Sequence, residues 1–129
     1  MIEEGQQLPM DSSFQVLRNG RPQDISTRDL FQGKKVVLTC VAGAFNPVCH
    51  DQHIPGFINR CDDFKKLGVD TVAVCSVNDA FVMDAWQQQV DPDRKLLFLA
   101  DGNAANARTF GTDVDTGSFG CIRTRMLAA

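Results

Sequence analysis

The chain has 129 residues, with 13 lysines and arginines against 16 acidic residues and a formal net charge of -3. That length makes one domain, residues 1–129, able to bury its own core, and the acidic balance with scattered cations removes the electrostatic case for a nucleic-acid partner. The start, Met1-Ile2-Glu3-Glu4-Gly5, lacks the basic opening and apolar run of a secretory leader, and no stretch is long enough to span a bilayer, so a soluble cytoplasmic protein with no membrane partner is expected.

In chain order, Phe14-Gln15-Val16-Leu17, a turn at Asn19-Gly20 and a short return to Ile25 predict a hairpin laid against the main sheet. Ser26 or Thr27 can cap a short helix through Leu30 and Phe31 that stops at Gly33. Residues 35–42 are mostly apolar and β-branched, like a strand buried on both faces. Helical spacing follows over residues 48–67, with Ile54, Phe57, Ile58, Cys61, Phe64 and Leu67 on one face and Gly68 as the cap. Pro55 lacks the amide that would bond Asp51, so a bend is expected there. Strands at 71–77 and 95–100 alternate with helices at 79–89 and about 103–110. Asn78 is the expected cap of the 79–89 helix, with Val82, Ala85 and Trp86 facing the sheet. Such alternation implies an α/β fold with a parallel sheet covered by helices, reached by right-handed crossovers.

Five cysteines without a Cys-x-x-Cys pair are not a secreted disulfide framework. Cys40, Cys61 and Cys75 fall inside strand or helix patterns and read as small core residues, whereas Cys49 and Cys121 occupy stretches where exposure is expected. Cys49 stands out. It follows Ala42-Gly43-Ala44-Phe45-Asn46-Pro47-Val48, between a strand and a helix, so it lies in the first helical turn, where oriented amides favour a thiolate. Cys49 and His53, four apart, share a helical face with no third ligand evident, so no metal is expected, and no cofactor. Asp101-Gly102-Asn103 lacks the spaced acids of a calcium loop and reads as a strand-to-helix turn.

The run Ala42 to Cys49, followed by His50-Asp51-Gln52-His53-Ile54-Pro55-Gly56-Phe57, resembles the peroxiredoxin 5 or redoxin type of peroxiredoxin, whose members carry Pro-Gly-Ala-Phe-Thr-Pro-Thr-Cys and then Ser-x-x-His-Leu-Pro-Gly-Phe. Ser76-Val77-Asn78-Asp79-Ala80-Phe81-Val82-Met83 with Trp86, and Leu99-Ala100-Asp101-Gly102, extend the resemblance over nearly the whole chain. It implies a thioredoxin-like sandwich with a central, mostly parallel sheet flanked by helices and an N-terminal hairpin. The family's C-terminal hairpin and final helix would be missing, leaving the sheet edge beside the active-site strand bare.

The resemblance also implies a thiol peroxidase acting on hydrogen peroxide or alkyl hydroperoxides, in which Cys49 becomes a sulfenic acid and is regenerated by glutathione, glutaredoxin or thioredoxin. Near neutral pH, lowering a thiol pKa from about 8.5 gains only about tenfold to thirtyfold, so the pocket must also hold the peroxide and stabilise the leaving oxygen. The residues implied are Cys49, Asn46 in place of the threonine, and Arg123, with Arg125 as the alternative. Ala42 (where proline is usual), Gly43, Phe45, Val48 and His53 would line or support the substrate site. Cys121 is a candidate resolving thiol away from the family's usual position. A homodimer through loops around the site is implied, with Phe45 as a contact. The competing reading is a catalytically weakened redoxin-like scaffold serving as redox sensor or interaction module.

Overall fold

Every strand that the apolar runs predict joins one sheet. The computed structural model describes residues 3–128. Strands β1 (Ser13–Arg18) and β2 (Arg21–Ser26) form a hairpin about Asn19 and Gly20, both with positive φ as a two-residue turn requires. Helix α1 (Thr27–Phe31) is capped by the Ser26 hydroxyl, which accepts from the Asp29 amide. Then come β3 (Val36–Cys40), a π-helical turn (Cys49–His53), α2 (Ile54–Asn59), α3 (Cys61–Lys66), β4 (Thr71–Ser76), α4 (Ala80–Val90), β5 (Leu97–Ala100), α5 (Ala105–Phe110), β6 (Asp113–Asp115), β7 (Ile122–Thr124) and β8 (Leu127–Ala128).

The sheet order is β2-β1-β5-β4-β3-β8. The pairs β3–β4 and β4–β5 are parallel and the outer pairs antiparallel, so the expected parallel centre is present within a mixed sheet. The hairpin does not lie against the sheet. It extends it edge to edge, through the single pairing Gln15↔Ala100. Nor is the far edge bare: β8 pairs antiparallel with β3, Thr39 opposite Ala128 and Cys40 opposite Leu127. A separate ribbon of β6 and β7, also unforeseen, sets Val114 opposite Arg123.

Two apolar cores cover the two faces, as alternation along strands buried on both sides demands. One gathers Val41, Cys49, Ile54, Val74, Met83, Trp86 and Phe98; the other gathers Phe14, Leu30, Phe31, Cys40, Cys75 and Phe110. Cys40, Cys61 and Cys75 are buried as expected. Facing thiols of Cys40 and Cys75 titrate as a pair: the hydrogen bond from Cys75 pulls the Cys40 pKa down, while that bond and burial push Cys75 up. On α4 the buried stripe is Ala80, Met83, Trp86 and Gln87; of the three residues expected to face the sheet, Trp86 is buried, Val82 half-buried and Ala85 exposed. Its cap is Asp79, which accepts from the Val82 amide, and not Asn78. Asp101 fills the strand-to-helix turn and accepts from the Asn106 and Ala107 amides.

Candidate active site

The loop after β3 is built to present a helix start. The Val41 amide still bonds the Cys75 carbonyl, and Gly43 then opens a turn closed by the Asn46 amide on the Gly43 carbonyl at 3.3 Å. Phe45 sits in this turn at φ 63°, a left-handed conformation that costs a bulky residue about 1–3 kcal/mol and persists only where neighbours enforce it. The neighbours are identifiable. Asn78 Oδ1 accepts from the Ala44 amide at 3.0 Å and from Ser76 Oγ at 2.6 Å, tying the loop to the end of β4. The Phe45 ring stacks on His50, centroids 6.1 Å apart, and lies 6.5 Å from Trp86. Trp86 is fully buried and donates its indole N–H to His50 Nδ1 at 3.1 Å, so that nitrogen is the acceptor.

The helical stretch begins at Pro47, whose missing N–H is harmless in a first turn. Asn46 is its cap: the side-chain Oδ1 accepts from the Val48 amide at 3.2 Å and the carbonyl from the His50 amide at 2.8 Å. Cys49 is therefore the third helical residue, as the sequence predicts. The bend expected at Pro55 takes the form of the π-helical turn, in which the Ile54 amide reaches back to the Cys49 carbonyl and the bond that Pro55 cannot give is bypassed. A second break at Arg60 divides the predicted 48–67 helix into α2 and α3.

Exposure departs from expectation at the central residue. Cys49 is 0% exposed, turned inward among Val41, Ile54 and Trp86, while Phe45 and Val48 beside it are 43% and 52% exposed. A small oxidant therefore reaches the sulfur only by displacing cover. Cys121 is exposed, and both cysteines are free thiols. Ala42 is half-buried and Gly43 buried.

Of the two candidate arginines, Arg123 reaches the loop. Its Nη1 donates to the Val77 carbonyl at 2.7 Å and its Nε to the Gly120 carbonyl at 3.0 Å, and a Cβ on Gly43 would stand 3.8 Å from Nη1. At Gly120 a Cβ would meet Nε at 2.7 Å, so the guanidinium occupies the space that a side chain would need. Arg125, past the end of β7, is exposed and uses its backbone amide on the Thr112 carbonyl. His53 Nε2 lies 2.6 Å from Thr39 Oγ1, and its ring stacks on Phe57; burial lowers its pKa, which keeps the imidazole neutral. Among the described residues no three metal-ligating side chains converge, and His50 and His53 face different partners.

Asn78, Thr39, Gly120 and the Trp86–His50 bond are parts of this site that sequence reasoning did not find in these roles. The arrangement has parts that thiol oxidation could use: a thiol at a helix start, a planar cation bound beside the same loop, and a strained turn braced by Asn78, His50 and Trp86.

A family model described as Redoxin matches residues 3–129. Peroxiredoxin-2C of Oryza sativa subsp. japonica is 44% identical over 107 residues, covering 82% of this chain and 66% of its own. Peroxiredoxin-2E, chloroplastic, of Arabidopsis thaliana is 36% identical over 116 residues, covering 88% and 49%. The chain thus spans about half to two thirds of the length of these curated relatives. Among solved structures, reduced Prx3 of Vibrio vulnificus in complex with H2O2 superimposes with a TM-score of 0.93 at 41% identity, covering 99% of this chain and 80% of that one. Peroxiredoxin 5 of Alvinella pompejana gives 0.89 at 36% identity, covering 99% and 81%. The thioredoxin-like α/β fold expected from the sequence is the fold of these neighbours.

Proposed function

The chain belongs to the Redoxin family, and on that premise we propose that it is a thiol-dependent peroxidase acting on hydrogen peroxide or small alkyl hydroperoxides through Cys49. The observation that carries the reading is the position of Cys49 in the first helical turn of a loop over which Arg123 is held by Val77 and Gly120.

In this mechanism the Cys49 thiolate attacks one peroxide oxygen. An S–O bond forms as the O–O bond breaks, sulfur is oxidised by two electrons, and the departing oxygen takes a proton to leave as water or alcohol. Arg123 supplies donors for the charge growing on that oxygen. Asn46 sets the helix start with its Oδ1 and keeps its Nδ2 donors for substrate. His53, neutral and bonded to Thr39, supports the turn below the thiol. An external thiol then attacks the sulfenic sulfur and expels water, and a second thiol reduces the mixed disulfide.

The reductant in this reading is glutathione with glutaredoxin, or thioredoxin, and the protein acts as a homodimer joined near the exposed Phe45 and Val48. A cytoplasmic location belongs to the proposal; no helix among the described residues is long and apolar enough to cross a membrane. The test is peroxide-dependent NADPH consumption coupled to each reductant system in turn. Turnover with at least one system that disappears in Cys49→Ser is expected, and turnover surviving that substitution would overturn the assignment.

A further inference from the structure

A feature that the thiol chemistry does not use lies at the opposite end of the sheet from Cys49. β1 and β5 pair only at Gln15↔Ala100. Away from that pair the two strands part, and a cavity of about 350 Å³ opens between Leu17 and Arg18 of β1, Phe98 of β5 and the start of β4, roofed by Met83 of α4. Its volume lies within the range of small-molecule sites.

Four cations line it: Arg18, Lys65, Arg94 and Lys95. Two acids also line it: Asp84 pairs with Arg94 at 3.1 Å, the only ion pair among the described residues, while Asp70, which accepts from the Lys35 amide at 2.8 Å, keeps its negative charge. Arg18, Lys65 and Lys95 have no carboxylate at ion-pair distance among the described residues, so the lining stays net positive in a chain whose net charge is -3. Arg94 is also fixed, at φ 52°, with its guanidinium on both Asp84 and the carbonyl oxygen of the Gln87 side chain. Gln87 is in turn held by Asp91 and the Leu96 carbonyl, so the cationic rim rests on a buried hydrogen-bonded base. Beneath it the apolar surface is that of half-buried Leu17, while Val72, Met83 and Phe98 are at most 5% exposed.

We propose that this cleft binds a small organic phosphate, with the dianionic group among Arg18, Lys65 and Lys95 and its body against Leu17. Three unpaired cations match a doubly charged group, and an interrupted strand pairing gives the body an entry that a continuous sheet would close. The site is separate from Cys49 and makes no use of its chemistry.

The probe is AMP, titrated into the ¹⁵N-labelled full chain at low ionic strength, with adenosine as the uncharged counterpart. Saturable amide shifts at Leu17, Met83 and Phe98 with a dissociation constant below about 1 mM are expected, absent with adenosine. The exposed pair Arg18→Glu with Lys95→Glu should weaken binding at least tenfold, and Arg18→Gln with Lys95→Gln should weaken it by less while preserving the spectrum of the fold. No saturable shift with AMP, equal binding of adenosine, or affinity unchanged in both variants would overturn the proposal.

Discussion

The side-chain oxygen of Asn78 holds the backbone amide of Ala44, 34 residues away, at 3.0 Å, and the same oxygen takes the Ser76 hydroxyl proton at 2.6 Å. One acceptor thus fastens the strained loop before Cys49 to the carboxyl end of β4, where ligands of open α/β sheets gather. Asn78→Ala strips both donors of their partner. A loss of about 1–3 kcal/mol in urea unfolding is expected, with slower oxidation of Cys49, and Asn78→Asp, which keeps an acceptor, should recover part of both.

Gly120 is required by Arg123. A methyl at this position would stand 2.7 Å from Nε and 2.9 Å from Nη2, so Gly120→Ala must swing the guanidinium off its carbonyl partners. The backbone itself, at φ -175°, accepts alanine without strain. Stability should therefore change little, while the rate of Cys49 oxidation falls by a factor on the order of 10–100, towards that of Arg123→Ala. An unchanged rate in Gly120→Ala, measured by peroxide-induced fluorescence change, would remove Arg123 from the reaction.

His53 couples stability to pH. Burial lowers its pKa from the ordinary 6.5, so the folded imidazole resists a proton that the unfolded chain accepts. Above pH 6.5 both states are neutral and nothing is lost; as the pH falls through 6.5 towards the folded value, the unfolded state binds more protons and stability declines. Thermal unfolding from pH 7.5 to 5 should show this decline in the wild type and a shallower one in His53→Gln. Identical slopes in the two proteins would contradict it.

Trp86→Phe keeps an aromatic ring against Phe98, now 5.3 Å away, but removes the N–H that holds His50 Nδ1. The void and the lost bond together should cost about 2–4 kcal/mol, and Phe45, no longer backed by a fixed His50, should become more accessible. Hydrogen exchange of the Ala44 to Asn46 amides reports this directly; unaltered protection would show that Asn78 alone braces the loop.

Much of this architecture was legible because it is written in local pattern. The β-branched run before Gly43, the helical spacing after Pro47 and the cap at Ser26 each follow from neighbours in the chain, and so Cys49 was placed on its turn correctly. What was not legible depends on partners far apart in sequence. Asn78 precedes a helix and could have capped it; its carboxamide instead faces Ala44, because Asp79, one residue on, has the extended φ and ψ of a cap. Exposure was expected at Cys49, yet the first turn places it in the core beside Trp86. Arg125 stood as the alternative to Arg123 until the pairing of β7 with β6 ended the strand between them. The bond from Pro55 was known to be missing, but not that a π-helical turn would absorb the loss.

The central claim is that Cys49 is a peroxide-reactive nucleophile in spite of its burial, and stopped-flow oxidation of the reduced protein by hydrogen peroxide tests it most directly, with mass spectrometry to locate the sulfenic acid. Oxidation confined to Cys49, at least about a hundredfold faster than free cysteine and absent in Cys49→Ser, is the expected result. A rate no greater than that of free cysteine, or sulfenic acid forming first at the exposed Cys121, would contradict it.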